Sequence, residues 1–109
     1  MLFRSPAHFY VPDLFFAECA NVLWKYVRHY GYPAENARQD VVDLQALALH
    51  SVSTADLLSP ALDLALQYDL PVDDACYLAL AQQLEVPLIT ADRQLAQKLS
   101  GSEIRVYPL

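Results

Sequence analysis

Three carboxylates in this 109-residue chain stand where solvation alone is a poor explanation: Glu18, Asp74 and Asp92. Glu18 lies one turn into a segment whose residues Phe15, Cys19, Val22, Leu23, Tyr26, Val27 and Tyr30 recur at helical spacing. It sits about 60° around the helix from Phe15, on the flank of the apolar stripe and not opposite it. Asp74 falls in the first turn of a second helical segment, on the same half as Tyr77, Leu78 and Ala81. Asp92 follows the apolar run Pro87-Leu88-Ile89-Thr90 through a single residue, Ala91. In a parallel α/β sheet, sites lie just beyond the carboxyl ends of the strands, and these positions put all three acids near that edge. Carboxylates brought together there repel one another, and a hard divalent cation with oxygen ligands relieves the repulsion. Mg²⁺ needs few protein carboxylates, keeps its waters and can set one water against a phosphate.

Each acid also has a plainer reading. Asp74 and its neighbour Asp73 could complement the positive end of a helix, worth about 0.3–1 kcal/mol each. Asp92 or Thr90 could cap the following helix, worth about 1 kcal/mol. Glu18 could pair with Lys25, two turns on. Among the remaining acids, Glu35, Asp40, Asp43, Asp56, Asp63, Asp69, Glu85 and Glu103 read as solvated surface.

The elements that must position these residues follow from periodicity. Nineteen leucines and fifteen alanines favour helices, with short β-type runs between them. His8–Val11 reads as a strand ended by Pro12-Asp13, and the helix from Leu14 stops at Gly31 with Pro33 just beyond. A helix runs from near Ala34 towards His50, and 51–54 is a weak strand. Ser59-Pro60 reads as a cap with proline at the first helical position, opening a short helix over Ala61–Tyr68. A helix over Asp73–Leu84, a buried strand over Pro87–Thr90, a helix over Asp92–Leu99 and a last strand over Ile104–Tyr107 complete the chain. Helices alternating with short apolar strands predict an α/β fold with a mostly parallel sheet covered on both sides. The chain is long enough for one domain, spanning residues 1–109, and too short for two.

The acidic segments carry a family resemblance. Tyr10-Val11-Pro12-Asp13-Leu14 with Ala17-Glu18-Cys19-Ala20-Asn21-Val22-Leu23-Trp24-Lys25 resembles the second-strand and helix segment of PIN-domain proteins. Asp74-Ala75-Cys76-Tyr77-Leu78-Ala79-Leu80-Ala81 is similar to the family's D-A-x-Y-x-A-L-A helix, and Pro87-Leu88-Ile89-Thr90-Ala91-Asp92 to its strand ending in T-A-D. The three occur in the family's order, and the match runs from about Phe9 to the end. Within the family, the toxin ribonucleases of VapBC toxin–antitoxin pairs are the most similar group. The resemblance implies a three-layer α/β/α fold and hydrolysis of RNA phosphodiesters by Mg²⁺ or Mn²⁺. It implies Glu18, Asp74 and Asp92 as the catalytic and metal-holding acids, with Asn21 and Thr90 as polar neighbours. It also implies an antitoxin-like protein partner, a homo-oligomer and a cytoplasmic location.

One element departs from that pattern. PIN domains begin with a central strand ending in an aspartate, whereas this chain passes from Met1-Leu2-Phe3-Arg4-Ser5 almost directly into the second strand. The first central strand is therefore expected to be missing, with one metal ligand and the amide partners of its two neighbours. Unpaired buried amides cost roughly 1–3 kcal/mol each. Two explanations stand: the natural chain begins upstream of Met1, or this is a degenerate copy that folds by pairing with another chain. In the second case the chain is a non-catalytic protein-binding or oligomerisation module, and its acids are relics or helix caps.

Composition excludes several other classes. Seven Lys and Arg against thirteen Asp and Glu give a net charge of −6, so a broad basic nucleic-acid surface is not expected. Arg4, Lys25, Arg28 and Arg93 are the cations nearest the acidic edge. Two glycines rule out a GxGxxG turn or a P-loop. No G-x-S-x-G occurs, and His8, His29 and His50 share no metal spacing. Cys19 and Cys76 match no CxxC and read as reduced core residues. Tyr26 and Tyr30 read as packing residues on the core stripe, and Trp24 as an edge residue suited to a protein interface. The longest uncharged stretch, twelve residues from Leu44 to Ala55, is too short to cross a bilayer.

Overall fold

The computed structural model describes residues 2–4, 9–90, 92–102 and 104–108. Short apolar runs form strands and the Leu- and Ala-rich segments form helices. Their order is β1 (Leu2–Arg4), β2 (Phe9–Pro12), α1 (Leu14–Tyr30), α2 (Ala34–Gln45), β3 (His50–Val52), α3 (Thr54–Tyr68), α4 (Val72–Leu84), β4 (Leu88–Thr90), α5 (Arg93–Lys98) and β5 (Val106–Pro108). The chain divides into two compact units. One comprises Met1–Asp13 with Leu49–Leu109 and carries every strand and α3 to α5; the other, Leu14–Ala48, is the helical pair α1 and α2.

The fold class is α/β, with a five-stranded sheet in the order β3-β2-β1-β4-β5. β2 pairs in parallel with β3 (Tyr10 with His50, Pro12 with Val52), and β4 with β5 (Leu88 with Val106, Thr90 with Pro108). The central place, where the family's first strand is expected, is not left open. Leu2–Arg4 fills it and runs antiparallel to both neighbours, with Phe3 opposite Tyr10 on one side and Leu88 on the other. Four strands therefore share a direction and one is reversed. Inner strands left without a neighbour would bury unsatisfied amides, and a reversed strand satisfies them as an aligned one would. The expected cost of lost pairing is thus met locally by the residues just before β2.

Helix α4 is buried from Ala75 to Ala81 without interruption, more completely than its one-face periodicity predicts. It packs on α3 and against β1, β2 and β4. A helix apolar on all sides belongs in a core. Helix α3 begins earlier than predicted. It runs unbroken through Pro60, because Leu57 anchors the first turn in the core at 1% exposure while Pro60 lies on the exposed side. Its missing N–H forgoes one helical bond, to the carbonyl of Asp56, and its ring crowds that carbonyl.

Both α3 and α4 end on a non-glycine residue in the left-handed region, Asp69 (φ 54°) and Glu85 (φ 55°). That conformation costs an L-residue roughly 1–2 kcal/mol. Glu85→Gly is accordingly expected to stabilise the fold by roughly 0.5–1 kcal/mol, visible as a higher melting temperature. The bond that the Arg105 guanidinium donates to the Glu85 carbonyl survives the change, since it takes only the backbone of Glu85.

In the helical unit, Gly31 at φ 70° ends α1 and Pro33 precedes α2. The Tyr32 hydroxyl donates to Asp40 Oδ2 at 2.5 Å, and that bond holds the phenol above its ordinary pKa. Helix α1 has no fully buried residue. Tyr26 and Tyr30, read from the sequence as core, are 51% and 77% exposed, and their rings lean on each other at 5.5 Å. The i, i+4 pair satisfies itself along the helix surface. Trp24 is also exposed, as its edge position predicts.

Candidate active site at the carboxyl edge of the sheet

The T-A-D segment is a compact local device. Thr90 ends β4 and is 1% exposed. Its Oγ1 accepts the Asp92 backbone N–H at 3.0 Å, a side-chain turn that fixes where the next acid begins. Asp92 in turn caps α5: Oδ1 accepts from the N–H groups of Gln94 (3.0 Å) and Leu95 (3.1 Å). The cap engages Oδ1 alone, so one carboxylate serves the helix terminus and still presents a second oxygen at an exposed position. The capping and functional readings of Asp92 are compatible on this geometry.

Asp74 reaches the same edge by another route. Helix α4 ends at Leu84, three residues before β4 begins at Leu88, and packs back on that strand. Its carboxyl end therefore lies at the amino end of β4, and its first turn, with Asp73 and Asp74, points to the carboxyl end. Asp74 is half-buried and Asp73 exposed. Positive helix ends favour carboxylates at both α4 and α5.

A further acid belongs to this edge. Asp13 follows β2 directly; its N–H donates to the Val52 carbonyl at 2.8 Å, and its Oδ1 accepts from the Thr54 N–H at 3.0 Å and from the Thr54 hydroxyl. It caps α3 across 41 residues of sequence, where Ser53 makes no side-chain cap of its own. The Thr54 hydroxyl, then its N–H, hold the Asp13 carboxyl below its ordinary value of 3.8. A depressed carboxyl pKa stabilises the fold above the unfolded value and ceases to do so as pH falls through the folded one. Asp13→Ala should therefore lower the melting temperature at pH 7, and the gap from the parent should narrow as the pH falls below the ordinary value of 3.8 and through the lower folded one. A gap independent of pH would mean that the carboxylate charge is not what stabilises α3.

Glu18 and Asn21 lie in the helical unit, on α1, three residues apart and so on one side of it. Glu18 is half-buried and Asn21 exposed. Cys19 beside them is a free, half-buried thiol, raised in pKa by burial and then by the Glu18 carboxylate, which keeps it protonated. Cys76 is a buried thiol outside any disulfide, as expected. Among the described residues, no group of three or more His, Cys, Asp and Glu side chains is gathered to hold a metal ion. No helix among them is long and apolar enough to cross a membrane. Arg4, one of the four cations assigned to the acidic edge, has its side chain outside the described residues.

Comparison with known proteins bears directly on this arrangement. The family model of the PIN domain matches residues 2–99. The chain belongs to the PIN-domain family. It is 40% identical over 91 residues to Ribonuclease VapC3 of Pyrobaculum aerophilum, an alignment covering 79% of this chain and 67% of that one. The chain is thus a VapC-like PIN domain, and the sheet, the T-A-D turn and the acidic first turn of α4 are its elements of that fold. PIN nucleases generally use divalent metals. Asp74, Thr90 and Asp92 offer only oxygen donors, the chemistry that suits Mg²⁺ or Mn²⁺ and disfavours softer metals.

Proposed function

We propose that this PIN domain is a metal-dependent endoribonuclease, the toxin of a toxin–antitoxin pair. The observation that carries the reading is that Asp92 caps α5 through Oδ1 alone, at an exposed position that leaves its other oxygen available. Its position is fixed by the buried Thr90 hydroxyl and by the α5 cap, and it stands at the sheet edge to which α4 brings Asp74. Kinship with a VapC ribonuclease supports RNA as substrate. Asp74 and Asp92 would hold Mg²⁺ or Mn²⁺; Glu18 joins them on the strength of its motif alone. When bound, the ion supplies Lewis acidity towards water and the scissile phosphate. Asp74 and Asp92 contribute fixed negative charge that orients it. Thr90 acts as a positioning residue through the Asp92 backbone, and Asn21, from its motif, as a polar neighbour. Hydrolysis forms one P–O bond to water, breaks another, and passes one proton to the departing oxygen.

A chain carrying −6 overall has little broad attraction for RNA, so cleavage should depend strictly on the metal. We read residues 1–109 as one domain, working in the cytoplasm as a homo-oligomer with an antitoxin-like protein partner. The purified chain should cleave single-stranded RNA with Mg²⁺ or Mn²⁺ and lose that activity in excess EDTA. Undiminished cleavage in EDTA would defeat the metal-dependent reading. The alternative is a degenerate protein-binding or oligomerisation module in which Asp92 serves only as the α5 cap. That alternative predicts no cleavage under any metal condition.

A further inference from the structure

Residues 19–34 form the longest stretch of the chain without an acid, and they hold Lys25, Arg28 and His29 with the rings of Trp24, Tyr26, Tyr30 and Tyr32. In a protein of net charge −6 this is a local reversal of sign. Most of the stretch is the second half of α1, where Val22, Lys25, Tyr26, Arg28 and Tyr30 are all exposed. At 100° per residue, Glu18, Val22, Lys25, Tyr26 and Tyr30 fall within about 140° of the helix circumference, with Arg28 at the border. They make one face that starts at Glu18 and runs about 18 Å along the axis. The apolar groove of this unit lies on another side, where Ala20, Leu23, Trp24 and Val27 meet Ala37 and Val41 of α2. The acids of α2 have partners of their own: Glu35 pairs with Arg38, Asp40 accepts from Tyr32 and Asp43 from Gln39. The tyrosine rings meet at 5.5 Å with their planes 45° apart, and at 77% exposure Tyr30 still presents a ring face to solvent.

Phosphates call for cations, and unpaired bases call for flat rings to stack on. A single-stranded nucleic acid needs both along one line. An apolar protein segment would use the rings alone, and an acidic one the cations alone. We propose that this face of α1 is a binding track for single-stranded RNA, in which bases stack on Tyr26 and Tyr30 while Lys25 and Arg28 hold the phosphates between them. The track rests on the RNA-cleaving reading above and deepens it, because it begins at Glu18 and leads a bound strand along α1 to the acid assigned there. Stacking tolerates any base, so the track supplies affinity to a protein whose overall charge supplies little.

Fluorescence anisotropy of a labelled oligouridylate, bound by the 109-residue chain in EDTA, tests the track apart from the metal centre. Tyr26→Ala and Tyr30→Ala should each weaken binding at least ~5-fold. Tyr26→Phe and Tyr30→Phe keep the ring and should bind within ~2-fold of the parent. Lys25→Gln and Arg28→Gln should also weaken binding, each lowering the slope of log affinity against log salt by about 0.7. All four positions are exposed, so the far-ultraviolet circular dichroism spectrum should stay unchanged. A parent that does not bind overturns the proposal. So do alanine variants that bind as the parent does, since the cations would then be attracting any polyanion. Cleavage of the same RNA with Mn²⁺ separates the two readings. Tyrosine-dependent binding without cleavage supports the track and removes the nuclease function, whereas cleavage with an unaltered KM in Tyr26→Ala and Tyr30→Ala overturns the track alone.

Discussion

Replacing Asp74 with Asn should abolish RNA cleavage, by at least ~10²-fold, while leaving the fold in place. The amide matches the carboxylate in size, so the packing around the first turn of α4 is kept; what disappears is one negative charge. At the helix start that charge is worth roughly 0.3–1 kcal/mol of stability, so a small fall in melting temperature is expected beside the large loss of activity. The two effects separate the readings of this residue. If Asp74 only complements the α4 terminus, the variant shows the small thermal change and keeps full activity, as Asp73→Asn is expected to do. Full activity of purified Asp74→Asn would remove Asp74 from the site.

Asp92 permits a sharper separation, because its cap geometry is explicit. Asp92→Asn keeps an Oδ1 that accepts from Gln94 and Leu95, so α5 stays capped. Asp92→Ala loses both bonds and should cost about 1 kcal/mol, or roughly 4 °C in melting temperature. Both variants lose the carboxylate charge, and both should lose at least ~10²-fold in cleavage. Equal inactivity with unequal stability is the signature of one carboxylate doing two jobs. If activity instead tracks stability, so that Asp92→Asn cleaves normally, the residue is a cap and nothing more.

The parts of the fold that could be read from the sequence are those whose causes are local. Thr90 and Asp92 form turn and cap within six residues, up to Leu95, so apolar run, polar hinge and helix start appear in order along the chain. The α4 acids are legible for the same reason, being in the first turn of an apolar helical segment. What escaped was non-local. Asp13 caps α3 from 41 residues away, and nothing near Thr54 announces it. That distant cap, with Leu57 in the core, carries α3 through Pro60, where Ser59-Pro60 alone resembles a start signal. The reversed β1 likewise owes its place to the pairing needs of β2 and β4 and to no pattern of its own in Leu2–Arg4. Tyr26 and Tyr30 share the helical period of the core stripe but face solvent, because period marks a side of a helix and does not say what lies against it.

Titration of the purified chain with Mn²⁺, followed by calorimetry in parallel for the parent and Asp74→Asn, tests the central claim most directly. The expected result is a saturable site in the parent that is lost or strongly weakened in the variant, with RNA cleavage rising over the same Mn²⁺ range. Absence of saturable binding in the parent, or equal binding in both proteins, would contradict a metal centre built on Asp74.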